Sequence, residues 1–381
     1  MKLNSIKIER FKATWQPPAV DLHPLTVVIG RNGSGKSSLI EALEWIDTTI
    51  REDARKATER FRSVNDLINK RGSWNEADRR FDIELQWEGP RGTIEYHLQV
   101  ASVDDEPRIT LENMTGADGA LITTADGVRT SPLTSGLSFS ETDRLAVARL
   151  GVGGDEADAI RDFWVRAVFL RLNANRLAKG SDPTRGSRDP LLDEEGLQVG
   201  RLIHDLSDQG RERLVEGVKS VLSDMREVQT TDPSPTSAIH WGLKEEMLWK
   251  GRAGKYPIEV PSWMLSEGTR RITAIFAILE AEPAPSLLCI EEIENGLDPW
   301  TLRQVMRRIR HAVDHRGIQV ILTTHSPWLL DAVDLDHVVV AQRSTGDTTY
   351  VPLKDQPVAD EWLGILPPGA LYLEMGSHGG D

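Results

Sequence analysis

The sequence predicts an α/β fold in which a parallel-sheet core carries an antiparallel β sublobe and a helical lobe. Three observations lead there. A nearly continuous apolar run, LTVVIG at 25–30, passes directly into a glycine-rich loop and then a helical pattern, as expected of a buried parallel strand feeding a helix. Segments 81–87 (FDIELQW), 93–101 (TIEYHLQVA) and 107–112 alternate apolar and polar residues, the period of antiparallel strands with one covered face. From 286 the chain returns to alternating strand and helix, the pattern of an α/β layer.

In chain order, IKI at 6–8 and LTVVIG read as strands, and SSLIEALEWI at 37–46 as a helix with Leu39, Leu43 and Ile46 on one stripe. The Gly- and Ser-rich stretches 115–136 and 151–154 read as loops, and FWVRAVFLRL at 163–172 as an apolar element that is either helix or strand. Breaks at 180–190 and 229–237 flank a segment, 193–228, with helical spacing of Leu202, Leu206, Leu214, Val218 and Leu222. Strand SLLCI, a helix near 300–314 and strand IQVILTT at 318–324 complete the pattern. The expected organisation is an N-terminal core part with β sublobe over 1–176, a helical lobe over 177–285, and a C-terminal core part over 286–381.

Composition narrows the function. A hydrophobic fraction of 39% and a charged fraction of 27% provide for a folded core. No stretch approaches the roughly 20 apolar residues that cross a bilayer, and MKLNSIKIERF lacks the apolar block of a signal peptide, so a cytoplasmic protein without membrane contact is expected. The one cysteine, Cys289, excludes an intrachain disulfide and suits packing within SLLCI. A net charge of −14 argues against a surface broadly coated for nucleic acid, leaving room only for a local basic face.

Chemistry concentrates in four places. GRNGSGKS, Gly30 to Ser37, spaces two glycines around four residues before Lys and Ser, between a strand and a helix, which is the P-loop pattern. Gly30, Arg31, Asn32, Gly33, Ser34, Gly35, Lys36, Ser37 and Ser38 are therefore the expected nucleotide contacts, with Lys36 toward the β- and γ-phosphates and Ser37 toward Mg²⁺. SLLCIEEIENGLDP places Glu291 and Glu292 at the end of an apolar strand, where Glu291 would hold Mg²⁺ and Glu292 would align the attacking water. His325 follows a second apolar strand and could hydrogen-bond the γ-phosphate. In LSEGTRRITAIFAIL, Ser266 suits the N-cap of a helix with Ile272, Ile275, Phe276 and Leu279 on its apolar stripe. The chemistry expected is ATP hydrolysis, with ATP and Mg²⁺ as ligands.

In this order the motifs resemble the ABC-type P-loop ATPase heads of the RecF, SMC and OLD families. IKIERFKA…VDLHPLTVVIGRNGSGKSSLIEAL resembles their opening, and GLDP at 296–299 resembles their D-loop. The resemblance covers about 1–50 and 260–335 and is weak between them. Two departures stand out: Glu291 where Asp is commoner, and Glu267 where the signature usually has Gly. The resemblance implies that Ser266 and Gly268 of one copy touch the γ-phosphate held by Lys36 of another, so that a homodimer closes around ATP, and it makes Asp298 a cross-interface residue. Arg10 and Lys12 are candidates for the adenine contact. Gln86, Asn173 and Asn175 compete for the Q-loop role.

No heptads sustain the long coiled coil of SMC proteins, and the residues after His325 contain no Glu then Asp-x-Asp pattern of the TOPRIM domain of OLD nucleases. The tail, ADEWLGILPPGALYLEMGSHGGD, resembles the ends of small bacterial AAA-family ATPases found with separate TOPRIM-like proteins in phage defence. The expectation is a sensor or clamp acting with a separately encoded effector, in phage defence or DNA maintenance and repair. The alternatives are a transport ATPase subunit and a nucleotide-dependent scaffold with little turnover. Stretch 51–80 carries nine Lys or Arg against six Asp or Glu and is the candidate face for double-stranded DNA.

Overall fold

A computed structural model of the chain describes residues 1–71, 79–133, 138–149, 151–184, 186, 189–231, 237–248, 255–357, 362 and 364–378. Parts of the basic stretch (72–78) and of the tail (358–361, 363 and 379–381) lie outside the described residues. The chain divides into two compact units, Met1–Val165 with Ile321–Asp381, and Arg166–Val320.

The first unit opens with β1 (Lys2–Glu9), β2 (Val20–Asp21) and β3 (Leu25–Ile29), followed by α1 (Lys36–Arg51), α2 (Ala54–Glu59) and α3 (Val64–Leu67). A run of antiparallel strands follows: β4 (Arg80–Gly89), β5 (Gly92–Val103), β6 (Glu106–Gly116), β7 (Gly119–Ala125), β8 (Val128–Thr130) and β9 (Ser138–Phe139). Helix α4 (Gly154–Val165) ends this part. The order β2-β1-β4-β5-β6-β7-β8-β9 makes the expected β sublobe an eight-stranded sheet. It extends into the stretch read as loop at 115–136, because Ala125 pairs with Val128 and the two residues between, Asp126 and Gly127, both adopt positive φ, 50° and 73°. That is the backbone of a two-residue hairpin turn whose twist matches its strands, and Asp-Gly is its sequence signal. Asp104 and Asp105 turn β5 into β6 in the same way, with φ of 54° and 62°.

The second unit begins with β10 (Val168–Leu170), so the apolar run 163–172 resolves into the end of a helix and a short strand. After it come α5 (Ala174–Leu177), α6 (Val199–Asp205), α7 (Asp208–Lys219), β11 (Met225–Thr230), β12 (Trp241–Leu248), β13 (Lys255–Pro261), α8 (Glu267–Leu279), β14 (Leu287–Ile290) and α9 (Pro299–Arg316). Segment 193–228 is thus not one helix. Ser207 starts a new one by accepting a hydrogen bond from Gly210 N at 3.1 Å, and Met225 enters a strand. Helices α6, α7 and α8 form the helical part of this region, with an antiparallel sheet ordered β11-β12-β13 beside them in sequence. β10 pairs in parallel with β14, Phe169 opposite Cys289, and Cys289 is buried there.

β15 (Gln319–Thr324) leads the chain back to the first unit, where α10 (Pro327–Leu330), β16 (Val338–Ser344), β17 (Asp347–Pro352) and α11 (Pro368–His378) complete it. Its core sheet runs β15-β3-β16-β17, with β16 parallel to β3 and antiparallel to β17. β3 and β15 are buried along their whole length, including the polar Thr26, Gln319, Thr323 and Thr324, as befits strands of a parallel sheet covered on both faces.

The β sublobe is anchored by one buried carboxylate. Glu112 accepts from Ala146 N at 2.7 Å, Val147 N at 2.8 Å, Tyr96 Oη at 3.2 Å and Arg129 Nη1 at 3.2 Å. Burial pushes its pKa above the ordinary carboxylate value, against the pull of these donors. Glu112→Ala leaves Arg129 buried without its partner and is expected to cost about 3–5 kcal/mol. Denaturant unfolding of the variant measures this, and a loss under about 1 kcal/mol would show that the pair is replaceable.

Candidate nucleotide site

On the first unit, β3 ends at Ile29 and the P-loop turns through Gly33 at φ 74° and Gly35 at φ 100° into α1. These left-handed conformations cost a residue with a Cβ but not glycine. Gly35 N-caps α1 without a side-chain cap, and the first turn holds no acid, so this helix end presents its amide dipoles to an anion. Lys36 is buried, and its Nζ donates to Gly30 O at 2.9 Å and to Arg31 O at 3.2 Å. The same Nζ lies 3.5 Å from His325 Nδ1, beyond the end of β15. The P-loop lysine and the switch histidine predicted from sequence therefore meet.

The cradle fits phosphate. Ser34 Oγ is buried without a hydrogen-bond partner inside the loop, and the ammonium of Lys36 is turned onto the loop's own carbonyls, contacts that phosphate oxygens can replace. Ser37, the second residue of α1, is exposed, and Ser38 is buried. Arg31, Asn32 and Gly33 line the exposed lip.

Two residues that sequence reasoning missed hold the loop in shape. Thr348 Oγ1 donates to Ser34 O at 2.9 Å, and Tyr350 Oη donates to Gly35 O at 2.8 Å, both from β17. Burial raises the Tyr350 phenol pKa further above its ordinary value, so it stays a donor. A Cβ at Gly35 would fall 2.6 Å from Thr348 Oγ1. β16 turns into β17 through the hairpin Thr345-Gly346, with φ of 47° and 85°; Gly346 was the available signal, though Thr is not a usual first residue of such a turn.

The other candidates on this unit have local partners. Arg10 and Lys12 adopt φ of 57° and 49°. Arg10 Nη2 binds Asp82 Oδ2 at 2.7 Å, whereas Lys12 pairs with Glu41 and lies 5.0 Å from the Phe61 ring centre. Gln86 sits within β4, its Nε2 3.5 Å from Glu95 Oε1. In the basic stretch, Arg55 pairs with Glu106 at 3.5 Å, Lys56 with Glu59 at 2.7 Å, and Arg60 with Glu44. These pairs answer part of the charge that made the stretch a candidate for phosphate binding.

On the second unit, Glu291 follows β14 directly, and its amide donates to Leu170 O at 2.9 Å. Its carboxylate meets Arg171, whose Nε lies 2.7 Å from Oε1. Glu292 is exposed at φ 48° and accepts from Asn295 Nδ2 at 2.6 Å. A non-glycine residue in that conformation costs about 1 kcal/mol or more, strain of the kind that aims side chains at functional sites. Ser266 caps α8, its Oγ accepting from Thr269 N at 3.1 Å, and Ile272, Ile275, Phe276 and Leu279 are all buried. A Cβ at Gly268 would lie 2.6 Å from Gly296 O, so the signature helix and the D-loop touch backbone to backbone. Glu267 bonds Arg271 Nε at 3.1 Å. Asp298 caps α9, accepting from Thr301 Oγ1 at 2.6 Å, Trp300 N at 3.0 Å and Thr301 N at 3.1 Å, and these bonds lower its pKa. Asn173 caps α5, its Oδ1 accepting from Asn175 N at 3.0 Å.

Among the described residues no cluster of three or more His, Cys, Asp or Glu could by itself hold a metal ion. Mg²⁺ needs no such cage. It is commonly held by one or two protein oxygens with nucleotide phosphates and water, and on the first unit the exposed Ser37 hydroxyl is an oxygen of that kind. Tyr350→Phe and Thr348→Val each remove about 1 kcal/mol of support from the loop, so ATP affinity is expected to fall about fivefold in each variant with the fold intact. Calorimetry with ATP checks this, and unchanged affinity in both would deny β17 a part in nucleotide binding.

Two family models match the chain: "AAA ATPase domain" over residues 1–88 and "AAA domain, putative AbiEii toxin, Type IV TA system" over 167–331. The methionine import ATP-binding protein MetN 1 of Rhodococcus jostii is 31% identical over 104 residues, 27% of this chain and 30% of that protein. The energy-coupling factor transporter ATP-binding protein EcfA1 of Caldanaerobacter subterraneus is 30% identical over 102 residues, 27% of this chain and 33% of its own length. The chain thus matches a third or less of the length of these curated relatives. A crystal structure of the SmcHead bound to the C-winged helix domain of ScpA aligns with a TM-score of 0.54 at 13% identity, covering 92% of this chain and 97% of that one. The SMC head domain from Thermotoga maritima aligns with a TM-score of 0.49 at 16% identity, covering 92% and 99%. With the P-loop seated between β3 and α1, the chain is a P-loop ATPase similar to the two AAA family models, and it has the fold of the SmcHead domain.

Proposed function

We propose that the protein is an ATP-driven sensor or clamp in which two copies close around ATP, acting with a separate effector in phage defence or DNA maintenance. The observation that carries this reading is the exposure of large apolar side chains beside the nucleotide motifs. Trp263 and Met264, just before Ser266, are 57% and 70% exposed, and Trp300, two residues after Asp298, is 54% exposed. On the first unit Trp328, three residues after His325, is 71% exposed. Apolar surface gathered at functional motifs marks a face that a partner covers.

In this reading Lys36 and the P-loop amides of one copy bind the phosphates, and Ser266 and Gly268 of the other reach the γ-phosphate from the open end of α8. Ser37 and Glu291 face Mg²⁺, Glu292 aligns water, His325 contacts the γ-phosphate, and Asp298 fixes the D-loop at the interface. The SmcHead structure, which carries a bound ScpA domain, supports a role for a partner protein. The tail's resemblance favours a TOPRIM-like nuclease as that partner, and double-stranded DNA is the candidate trigger. A transport role is the second reading, motivated by the two curated relatives. No described helix is long and apolar enough to cross a membrane.

Glu292→Gln is expected to keep ATP binding while turnover falls by about a hundredfold or more, as for loss of a general base. Near-normal turnover would refute its role. Lys36→Ala should instead weaken ATP binding. A Ser266→Arg chain should be inactive alone, yet mixing it with Lys36→Ala chains should restore turnover, since one shared site then holds both an intact P-loop and an intact signature. Absence of rescue between two folded, pairing variants would sink the shared site. Turnover measured with and without duplex DNA separates a DNA-triggered clamp from the other readings.

A further inference from the structure

The Glu291 carboxylate is already engaged by a cation from the protein. Arg171 Nε and Nη2 lie 2.7 Å and 2.5 Å from Glu291 Oε1, and Arg171 Nη1 also pairs with Glu194. Backbone bonds hold both acids near this guanidinium. Glu291 N donates to Leu170 O, while Arg171 N donates to Glu194 O at 2.9 Å and Asn173 N donates to Glu195 O at 3.1 Å. Next to them Arg176 Nε meets Glu195 Oε2 at 3.0 Å, and Gly196 turns the chain at φ 82° where a Cβ would fall 2.5 Å from Leu177. One guanidinium thus bridges two carboxylates, one of them well covered at 10% exposure and the other more open at 36%.

We propose that Arg171 is a positioning residue for the metal-side carboxylate: it aims Glu291 while no divalent cation is bound, and it shifts wholly onto Glu194 when Glu291 receives the cation. This rests on reading Glu291 as the carboxylate that faces Mg²⁺. A guanidinium cannot relieve repulsion from a nearby divalent cation by losing its proton, so relief comes only by displacement. Glu194 supplies the place to go without backbone movement, because the contact already exists. The acid–arginine–acid arrangement therefore sets how readily the site accepts its cation, in opposite senses through its two ends.

The test is Mn²⁺ binding, read by electron paramagnetic resonance, to protein carrying a non-hydrolysable ATP analogue. Arg171→Gln should tighten Mn²⁺ binding about tenfold, and Glu194→Gln, which removes the second carboxylate, should weaken it by a similar factor. Both effects should vanish in a Glu291→Gln background. Arg171→Lys, which keeps the charge with a shorter reach, should fall between wild type and Arg171→Gln, and it carries the arginine arm if Arg171→Gln does not fold. Thermal unfolding and cation-free nucleotide binding report whether each variant is intact. If Glu291→Gln weakens Mn²⁺ while the arginine and Glu194 variants shift in the same direction or not at all, the ion pair is only structural and the proposal is overturned. If Glu291→Gln leaves Mn²⁺ binding unchanged, the reading of Glu291 itself fails.

Discussion

A loop can present its amides to phosphate only if its carbonyls are kept turned away, and this constraint organises the first unit. Ser34 O and Gly35 O are held from behind by Thr348 and Tyr350. The close approach needs a residue without a Cβ at position 35, and the left-handed backbone there needs glycine for a second reason. Burial of β3, the short hairpin that aims β17, and the uncapped start of α1 all serve the same geometry. Lys36 then has both the loop carbonyls and His325 within reach.

The second unit applies the same logic to its own motifs. Gly268 and Gly296 let the start of α8 and the turn before α9 meet at backbone distance, while Ser266 and Asp298 cap the helices that follow them. The rigidity of these turns comes from satisfied helix ends, because cap hydrogen bonds fix the entry angle of the chain. Glu292 departs from this economy. Its left-handed backbone is tolerated because the fixed end of β14 and the bond from Asn295 hold it. At Glu267, where related signatures carry glycine, the side chain turns to Arg271 on its own helix.

Charge is buried here only in company. Glu112 is surrounded by two amides, a phenol and a guanidinium, and Glu291 is met by Arg171. The two cases differ in what they permit. The Glu112 cluster is closed on all sides and serves the sublobe, whereas Arg171 has a second acid to move to. A buried charge with one set of partners fixes structure, and one with alternative partners can respond to a ligand.

The sequence by itself determined the parts whose physics is local. The P-loop pattern is written in eight contiguous residues from Gly30 to Ser37, buried strands appear as mainly apolar runs, and helix starts appear as Ser266 before an apolar stripe. The hairpin at Asp126-Gly127 was equally local, and it was passed over because glycine-rich composition also marks loops. Only the tertiary structure decided the rest. Thr348 and Tyr350 reach the P-loop from more than 300 positions away, Arg171 meets Glu291 across 120, and β11 to β13 form a sheet within 177–285, the part expected to be a helical lobe. Such contacts depend on which strands pair and in what register, and a single polar residue on a strand carries no mark of the distant backbone it will face.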